Sequence, residues 1–520
     1  MRSYRSSGET DLDTLFLHKT KAIILAVSLL LLCGSPEATS ADPVFPDPFV
    51  REMIEQVESD TAYDTVAGLS GEHPVMISGS PYTLKTRFIL EQEPIQKATQ
   101  LVYEYFQSIG LPVEFFWYSH TFVGTQRSVI AEQPGRSEPD CIYVLSAHLD
   151  DAPSGELAPG ADDNASGSAG VLIAASILSQ YEFNCSLRYA LFTAEELGLL
   201  GSKAYAEQVY NLGEDIRGVV NLDMIAYNSD EWPVIDLHTR ATSDQDLAIA
   251  NQFENVVSAY AIDLLPEIIS DGATNSDQAS FWKYDFPAIL AIEDGDDLTP
   301  FYHSTSDRVQ TLDLAYFTHF IQAAVGTTAH LAGLLEGRMS GLAYDVQTGA
   351  PLAGVVVTAQ RATGLTWSVT TAEDGSYSID LPSGKYSLTA SLTGYGDLII
   401  DETDIPVDQT AQLDLPLQIC QAPQTIDFSF SPEIPRVGDL ITFSASVSGT
   451  DGLPVDYQWS LGDNHSANGQ IVTHIYTRSR VYPVMLTAST CGGSGTSMQD
   501  IQIDPAAVSI YLPLLNGNQQ

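Results

Sequence analysis

Residues 141–167 read CIYVLSAHLDDAPSGELAPGADDNASG, and this stretch decides the fold. Cys141 to Ala147 is a short apolar, β-branched run, the pattern of a strand buried on both faces of a parallel sheet. After Asn164 the chain turns to small and aliphatic residues, ASGSAGVLIAASIL, which predicts a helix with Asp or Asn at hand to cap it. Between strand and helix lies a polar loop holding His148, Asp150, Asp162 and Asp163. Open α/β sheets place their sites at the carboxyl ends of strands. Four metal-competent side chains on one such loop read as half of a metal site.

Working outward, strands and helices alternate. Gln96 to Gly110 has apolar residues at helical spacing and a terminal glycine, and a strand-like run follows around Phe115. Strands are expected at Ile142–Ala147, Leu187–Phe192, Val219–Met224 and Ala288–Ile292. Helices are expected after Asn164, after Gly198, near Leu247–Ala261, and from Leu314 to about Leu335. This alternation predicts an α/β domain over residues 42–337, with a mostly parallel central sheet flanked by helices. From about Met339 the texture changes to short alternating strands between Gly, Pro, Asp and Thr turns. Two dissimilar all-β sandwich units are expected, 338–420 and 421–505, followed by a tail, 506–520, that contains the apolar run Val508–Leu515.

At 520 residues the chain is too long for one ordinary domain, and a hydrophobic content of 44% is ample for packed cores. With 67 acidic against 22 basic residues the net charge is -45. Such a chain repels polyanions, so nucleic acid and anionic membrane surfaces are excluded as partners, and a highly soluble extracellular surface is expected. Lys19 and Lys21 precede the apolar run Ala22–Leu32, and small residues at Ala38–Ala41 offer a cleavage site. The run has signal-peptide length and is too short to span a bilayer comfortably. Secretion is expected, with a lipid anchor through Cys33 as the alternative; no later run is long enough for a membrane span. An exported chain keeps Cys141, Cys185, Cys420 and Cys491, which allow three pairings. Pairing within domains is the simplest, and no two cysteines have the spacing of a zinc-thiolate site.

Five further loops of the α/β domain end strands with polar groups. LFTAEELGLLG (191–201) presents Glu195 and Glu196, VNLDMIA (220–226) places Asp223 at a strand end, and NSDQASF (275–281) holds Asp277. IEDGDD (292–297) is acidic, and FYHSTSD (301–307) supplies His303. A lone Asp at a strand end is ordinarily a helix cap, a lone His is packing or surface, and adjacent glutamates are a solvated helix start. Their joint order, each after a core-like strand of one domain, is what raises them to candidates.

The order H-x-D, G-A-D-D-N-A-S-G, A-E-E-x-G-L-x-G-S, N-L-D-M, S-D and Y-H-x-x-x-D resembles the secreted di-zinc aminopeptidases, the family of bacterial leucyl aminopeptidases related to glutamate carboxypeptidases. The resemblance covers about Val66 to Leu335. It implies two zinc ions, one held by His148 and Asp223, the other by Glu196 and His303, with Asp163 bridging them. It also implies that Asp150 orients His148, that Glu195 is the general base, and that a non-proline cis peptide joins Asp163 to Asn164. The chemistry is consistent: two close cations need a shared carboxylate, and imidazole and carboxylate are ordinary zinc ligands. The adjacent glutamates can divide the work because neighbouring side chains in an extended segment point apart. One departure is Ser276-Asp277-Gln278, where the family often has S-D-H; an effect on substrate fit is expected and not a loss of metal. Tyr302 is read as a packed aromatic, with a hydrogen bond to a reaction intermediate as the alternative.

Residues 339–417 resemble a carboxypeptidase-regulatory-like β-sandwich, and 423–503, with the W-x-x-G-D turn at Trp459–Asp463 and with His474, resemble a polycystic-kidney-disease-type (PKD) Ig-like domain. The whole implies a secreted, monomeric zinc exopeptidase acting on peptide or protein substrates. Of the exopeptidases an aminopeptidase is expected, which uses a metal-activated water and Glu195. A carboxypeptidase-type relative is the alternative, with Arg87, Arg240 or Lys283 to receive a substrate carboxylate. So is a non-catalytic adhesion protein whose β modules bind a polymer or cell surface.

Overall fold

A computed structural model of the chain describes residues 45–152, 157–230 and 232–507. The leader with Cys33 and the run Val508–Leu515 lie outside the described residues. The first domain comprises helices α1 (Pro48–Glu55), α2 (Ser59–Leu69), α3 (Gln92–Ser108), α4 (Gly167–Leu178), α5 (Leu200–Leu212), α6 (Asp244–Tyr260), α7 (Gln278–Trp282) and α8 (Leu314–Ala332). Its strands are β1 (Val75–Ile77), β2 (Ser80–Tyr82), β3 (Val113–His120), β4 (Gly124–Gln133), β5 (Glu138–His148), β6 (Cys185–Phe192), β7 (Asp215–Asp223), β8 (Val234–Thr239), β9 (Leu265–Ser270) and β10 (Ala288–Glu293). β1 and β2 form a small hairpin, and the other strands form one eight-stranded sheet in the order β3-β4-β6-β5-β7-β10-β8-β9.

The centre of this sheet, β6-β5-β7-β10, is parallel throughout, as the apolar runs in these strands predict. The flanks make the sheet mixed: β3 and β4 pair antiparallel, as do β4 with β6 and β10 with β8. The antiparallel strand β4, GTQRSVIAEQ, begins with polar residues and has no continuous apolar run, so it carries a weak signal. It forms because β3 ends three residues before it and a short connection can only return antiparallel. Helix α4 is buried along almost its whole length, which is why its sequence is apolar on every side. It lies against α2, α3 and α8 as well as the sheet.

Arg87 is fully buried and ties the segment ahead of α3 to the central loop. It donates to the carbonyl oxygens of Leu69, Leu149, Pro159 and Gly160 at 2.7–2.9 Å and lies 3.7 Å from the Asp151 carboxylate. The cation thus shapes the path into the GADDN turn.

The second module begins at strand Glu336–Asp345 and packs two sheets around Met339, Tyr377, Tyr386, Leu388 and Leu415. It rests on the first domain: Trp367 donates from Nε1 to Glu52 Oε2 at 2.9 Å and meets Phe49 edge-on at 6.3 Å, and Arg361 donates to the carbonyl of Gln180. The third module has a core centred on Trp459, packed against Phe428 and Phe443, with its Nε1–H donated to the Gly469 carbonyl. Cys141 pairs with Cys185 inside the first domain, whereas Cys420 pairs with Cys491 and so ties the end of the second module to the third. Among the described residues, no helix is long and apolar enough to cross a membrane.

Candidate metal centre

The parallel strands deliver the site. His148 is the last residue of β5, Asp223 the last of β7, Glu195 and Glu196 follow β6, and Asp163 lies in the turn that enters α4. His148 Nε2 stands 3.3 Å from Asp163 Oδ1 and 3.2 Å from Asp223 Oδ1. His303 Nε2 stands 3.3 Å from the other oxygen of Asp163, Oδ2, and 2.9 Å from Glu196 Oε2. Two triads therefore share one carboxylate: His148, Asp163 and Asp223, and Asp163, Glu196 and His303. Each has its ligand atoms within 4.8 Å of one another.

Local sequence explains how the turn reaches this geometry. Gly160 has φ +48° and would drive a Cβ to 2.4 Å from the Asp163 carbonyl oxygen, so both its conformation and its crowding require glycine. Gly167 lets the start of α4 approach the Leu222 carbonyl, which a Cβ would meet at 2.4 Å. The Asp163–Asn164 peptide is cis. Asn164 Oδ1 accepts from Gly167 N at 2.8 Å, capping the helix, and its Nδ2 donates to the Leu222 carbonyl, which binds turn to strand. Asp307 accepts the backbone N–H groups of both Asp162 and Asp163, at 2.8 and 3.0 Å, and so orients the shared carboxylate from the far end of the Y-H-x-x-x-D motif.

Glu195 and Glu196 sit in a turn and not in an extended segment: the N–H groups of Gly198 and Leu199 both donate to the Glu195 carbonyl at 2.8 Å. The turn, and not strand alternation, separates the two side chains. Asp150 is also placed differently from a simple partner of the His148 ring. Its carboxylate is 4.0 Å from His148 Nδ1, whose nearer acceptor is the Asp150 carbonyl at 3.1 Å. The carboxylate instead accepts the Glu195 N–H at 3.1 Å. Ala194, Met224 and His303, each at or beside a site residue, have φ of +59°, +51° and +52°. Non-glycine residues in this region cost about 1–3 kcal/mol each, and they persist where the surroundings hold them. Here the Leu200 N–H donates to the Ala194 carbonyl and the Glu293 N–H to the Met224 carbonyl.

The electrostatics are those of a site built for cations. Burial, and then the neighbouring Asp223, Asp277 and Asp150 carboxylates against the pull of His148, push Glu195 far up. Burial pushes Asp150 up to about 8. His303 is raised to about 10 by the Asp163 and Glu196 carboxylates that face its ring. His148 is raised too: burial opposes its charge, but Asp223 and Glu195 outweigh that. Asp163 Oδ2, Glu196 Oε1 and His303 Nε2 are buried without a hydrogen-bond partner, which costs about 1–3 kcal/mol per group unless an ion satisfies them. The donor set, imidazole nitrogen and carboxylate oxygen, fits zinc.

His148, Asp163, Glu195, Glu196 and Asp223 line one cavity of about 310 Å³, with Met224, Asn275, Ser276, Leu290, Ile292, Leu298, Thr299 and Tyr302. No Arg or Lys is among these residues. Arg87 spends its donors on backbone carbonyls, Arg240 is engaged by Asp246 and Asp285, and Lys283 donates to Tyr284. Tyr302 stacks on the His303 ring at 3.7 Å and borders the cavity. Asp277 and Gln278 are buried beside the site, and Gln278 Nε2 donates to the Ala273 carbonyl. Sequence reading gave no role to Glu293, which ends β10 and accepts the Thr299 N–H at 2.8 Å, holding a residue of the cavity wall. Its place at the end of a central strand was the available signal.

The model of peptidase family M28 matches residues 128–328, that of the carboxypeptidase regulatory-like domain 338–418, and that of the PKD domain 421–504. A probable leucine aminopeptidase of Trichophyton verrucosum is 32% identical over 217 residues, covering 39% of this chain and 57% of the relative. Leucine aminopeptidase 1 of Coccidioides posadasii is 30% identical over 306 residues, covering 53% of this chain and 71% of the relative. The chain thus spans little more than half the length of some relatives it matches. The crystal structure of the LapA aminopeptidase of Legionella pneumophila superposes with a TM-score of 0.47 at 22% identity, over 56% of this chain and 77% of that one. Because the M28 match runs across the very strand ends that converge on the shared aspartate, and the Coccidioides relative is matched over most of its length, the chain belongs to peptidase family M28.

Proposed function

We propose that this chain is a secreted zinc aminopeptidase that removes N-terminal residues from peptides. The observation that carries the reading is Asp163, which turns one oxygen to each of two histidines at 3.3 Å and thereby joins two ligand triads. His148 and Asp223 would hold one zinc ion, Glu196 and His303 a second, and Asp163 both. When bound, the ions supply Lewis-acid activation of water and of the substrate carbonyl. Glu195 borders the same cavity and lies outside both ligand triads, so its carboxylate would be free to take a proton from water and return it to the leaving amine. Asp150, through the Glu195 N–H, holds that base in register. The surplus of carboxylates favours a substrate ammonium group, and the cavity wall of Met224, Leu290, Ile292 and Leu298 suits an apolar side chain. A carboxypeptidase would need a cation to hold its substrate, and none lines the cavity. Export fits two disulfides, which persist in oxidising compartments.

The test is hydrolysis of a panel of aminoacyl-nitroanilides by the full chain, with and without a chelator. Cleavage of leucyl and related apolar substrates that chelation abolishes and zinc restores is the expected result. Silence on free-amine substrates with cleavage of C-terminal ones would overturn the aminopeptidase. Silence on both with zinc bound would leave a binding protein.

A further inference from the structure

In the third module two residues of the folding motif, Asp463 and His474, meet a third side chain, His465, that the motif does not include. Asp463 lies in the turn after Trp459, and His474 ends the strand Ile471–His474. His474 Nε2 is 2.8 Å from Asp463 Oδ2, and His465 Nδ1 is 3.1 Å from Asp463 Oδ1. One carboxylate thus holds an imidazole on each oxygen, with the two rings 5.1 Å apart. The three ligand atoms lie within 4.8 Å of one another, and together they make a metal-competent group distinct from the peptidase centre.

We propose that Asp463, His465 and His474 form a further binding site for a divalent transition-metal ion of the zinc class. The donor set decides the class: two imidazole nitrogens and one carboxylate oxygen suit zinc, copper or nickel, whereas calcium and magnesium take oxygen. The spacing decides the fit. Zinc bonds of about 2.0–2.2 Å at tetrahedral angles separate ligand atoms by about 3.3–3.6 Å. Each imidazole nitrogen stands near that spacing, 2.8 and 3.1 Å, from one of the two oxygens of Asp463, and the ligand atoms of the three residues lie within 4.8 Å of one another. Two of the ligands are pre-set by packing. His474 stands edge-on to Tyr476 at 4.6 Å, and the Tyr476 hydroxyl donates to the Leu461 carbonyl at 2.8 Å, which fixes the turn that carries Asp463. The side chains of Asp463 and His474 are 17% and 13% exposed, whereas that of His465 is 69% exposed, so the site is open on one side and can add water or a donor from a partner. Arg480, which donates to the Gly462 carbonyl at 3.4 Å, is a nearby opposing charge; the net charge of -45 draws cations to the chain as a whole.

The inference does not rest on the peptidase reading, and one experiment separates them. The full chain, His465→Ala and Asp463→Asn are dialysed against buffered zinc, and bound zinc is counted by mass spectrometry while leucyl-nitroanilide hydrolysis is followed. His465 is solvent-facing and Asn keeps the shape of Asp, so both variants are expected to fold. Each should bind one zinc equivalent fewer than the parent chain with hydrolysis unchanged. Equal zinc counts for all three proteins would overturn the site. A lower count that brings a loss of hydrolysis would assign the missing ion to the peptidase centre and overturn it as well.

Discussion

At the scale of single residues, the centre depends on two carboxylates that are adjacent in sequence and divergent in space. Glu196 faces His303, while Glu195 borders the cavity with its backbone N–H bound by Asp150. Glu195→Gln preserves shape and the backbone bond but cannot accept a proton. Its kcat is expected to fall by about 10²–10⁴-fold, the range of general acid–base catalysis, with bound zinc unchanged by elemental analysis. A comparable loss of zinc would mean that Glu195 is a ligand. Asp150 stands between two site residues. The resemblance makes it the partner of His148, whereas its carboxylate reaches the Glu195 N–H at 3.1 Å and lies 4.0 Å from the imidazole.

At the scale of elements, the GADDN turn is held by a buried cation. Arg87 links Leu69, Leu149, Pro159 and Gly160 through their carbonyls, and Asp151 balances its charge. Arg87→Met would leave Asp151 buried and unpaired, and removing one partner of a buried ion pair costs about 3–5 kcal/mol. Urea unfolding followed by a signal from the first domain should show that loss; a change under about 1 kcal/mol, the worth of an exposed pair, would show that water reaches the site. Reading from sequence placed Arg87 among candidates for substrate binding, because an isolated arginine carries no sign of whether it will be buried. The fold answers that: three stretches of chain, at Leu69, Leu149 and Pro159–Gly160, present carbonyl oxygens to the same guanidinium.

At the scale of the whole molecule, the first domain and the second module meet where the described chain begins. Asp47 caps α1, and Glu336 opens the first strand of the second module. Burial raises Glu336 to about 8, reinforced by hydrogen bonding to Asp47. The neutral acid is thus favoured in the folded state, and its contribution is complete below the ordinary value of 4.5 and lost as pH rises through about 8. The melting temperature of the parent chain should therefore decline from pH 5 to pH 8 more steeply than that of Glu336→Gln, which stays neutral throughout. Parallel profiles would show that the junction does not titrate. Solvent at the half-exposed Glu336 keeps the effect small.

The architecture was legible in the amino-acid sequence, and so were the candidate residues of the site. Period and composition separated an α/β domain from two all-β units, because a strand buried on both faces must be apolar and a half-buried one must alternate. The central strands were legible for that reason, whereas β4, β8 and β9 were missed, since pairing at the flanks of a sheet is set by neighbours and not by hydrophobic runs. His148, Asp163, Glu196, Asp223 and His303 were legible as candidates from the joint order of their motifs, and the resemblance to the di-zinc aminopeptidases implied their roles as ligands. Only the tertiary structure decided which oxygen of Asp163 meets which histidine, that a turn parts Glu195 from Glu196, that Arg87 is sealed away from substrate, and that His465 meets Asp463 and His474. Each of these depends on distances between segments remote in the chain, and such distances are fixed by packing and hydrogen bonding across the fold, not by local propensity.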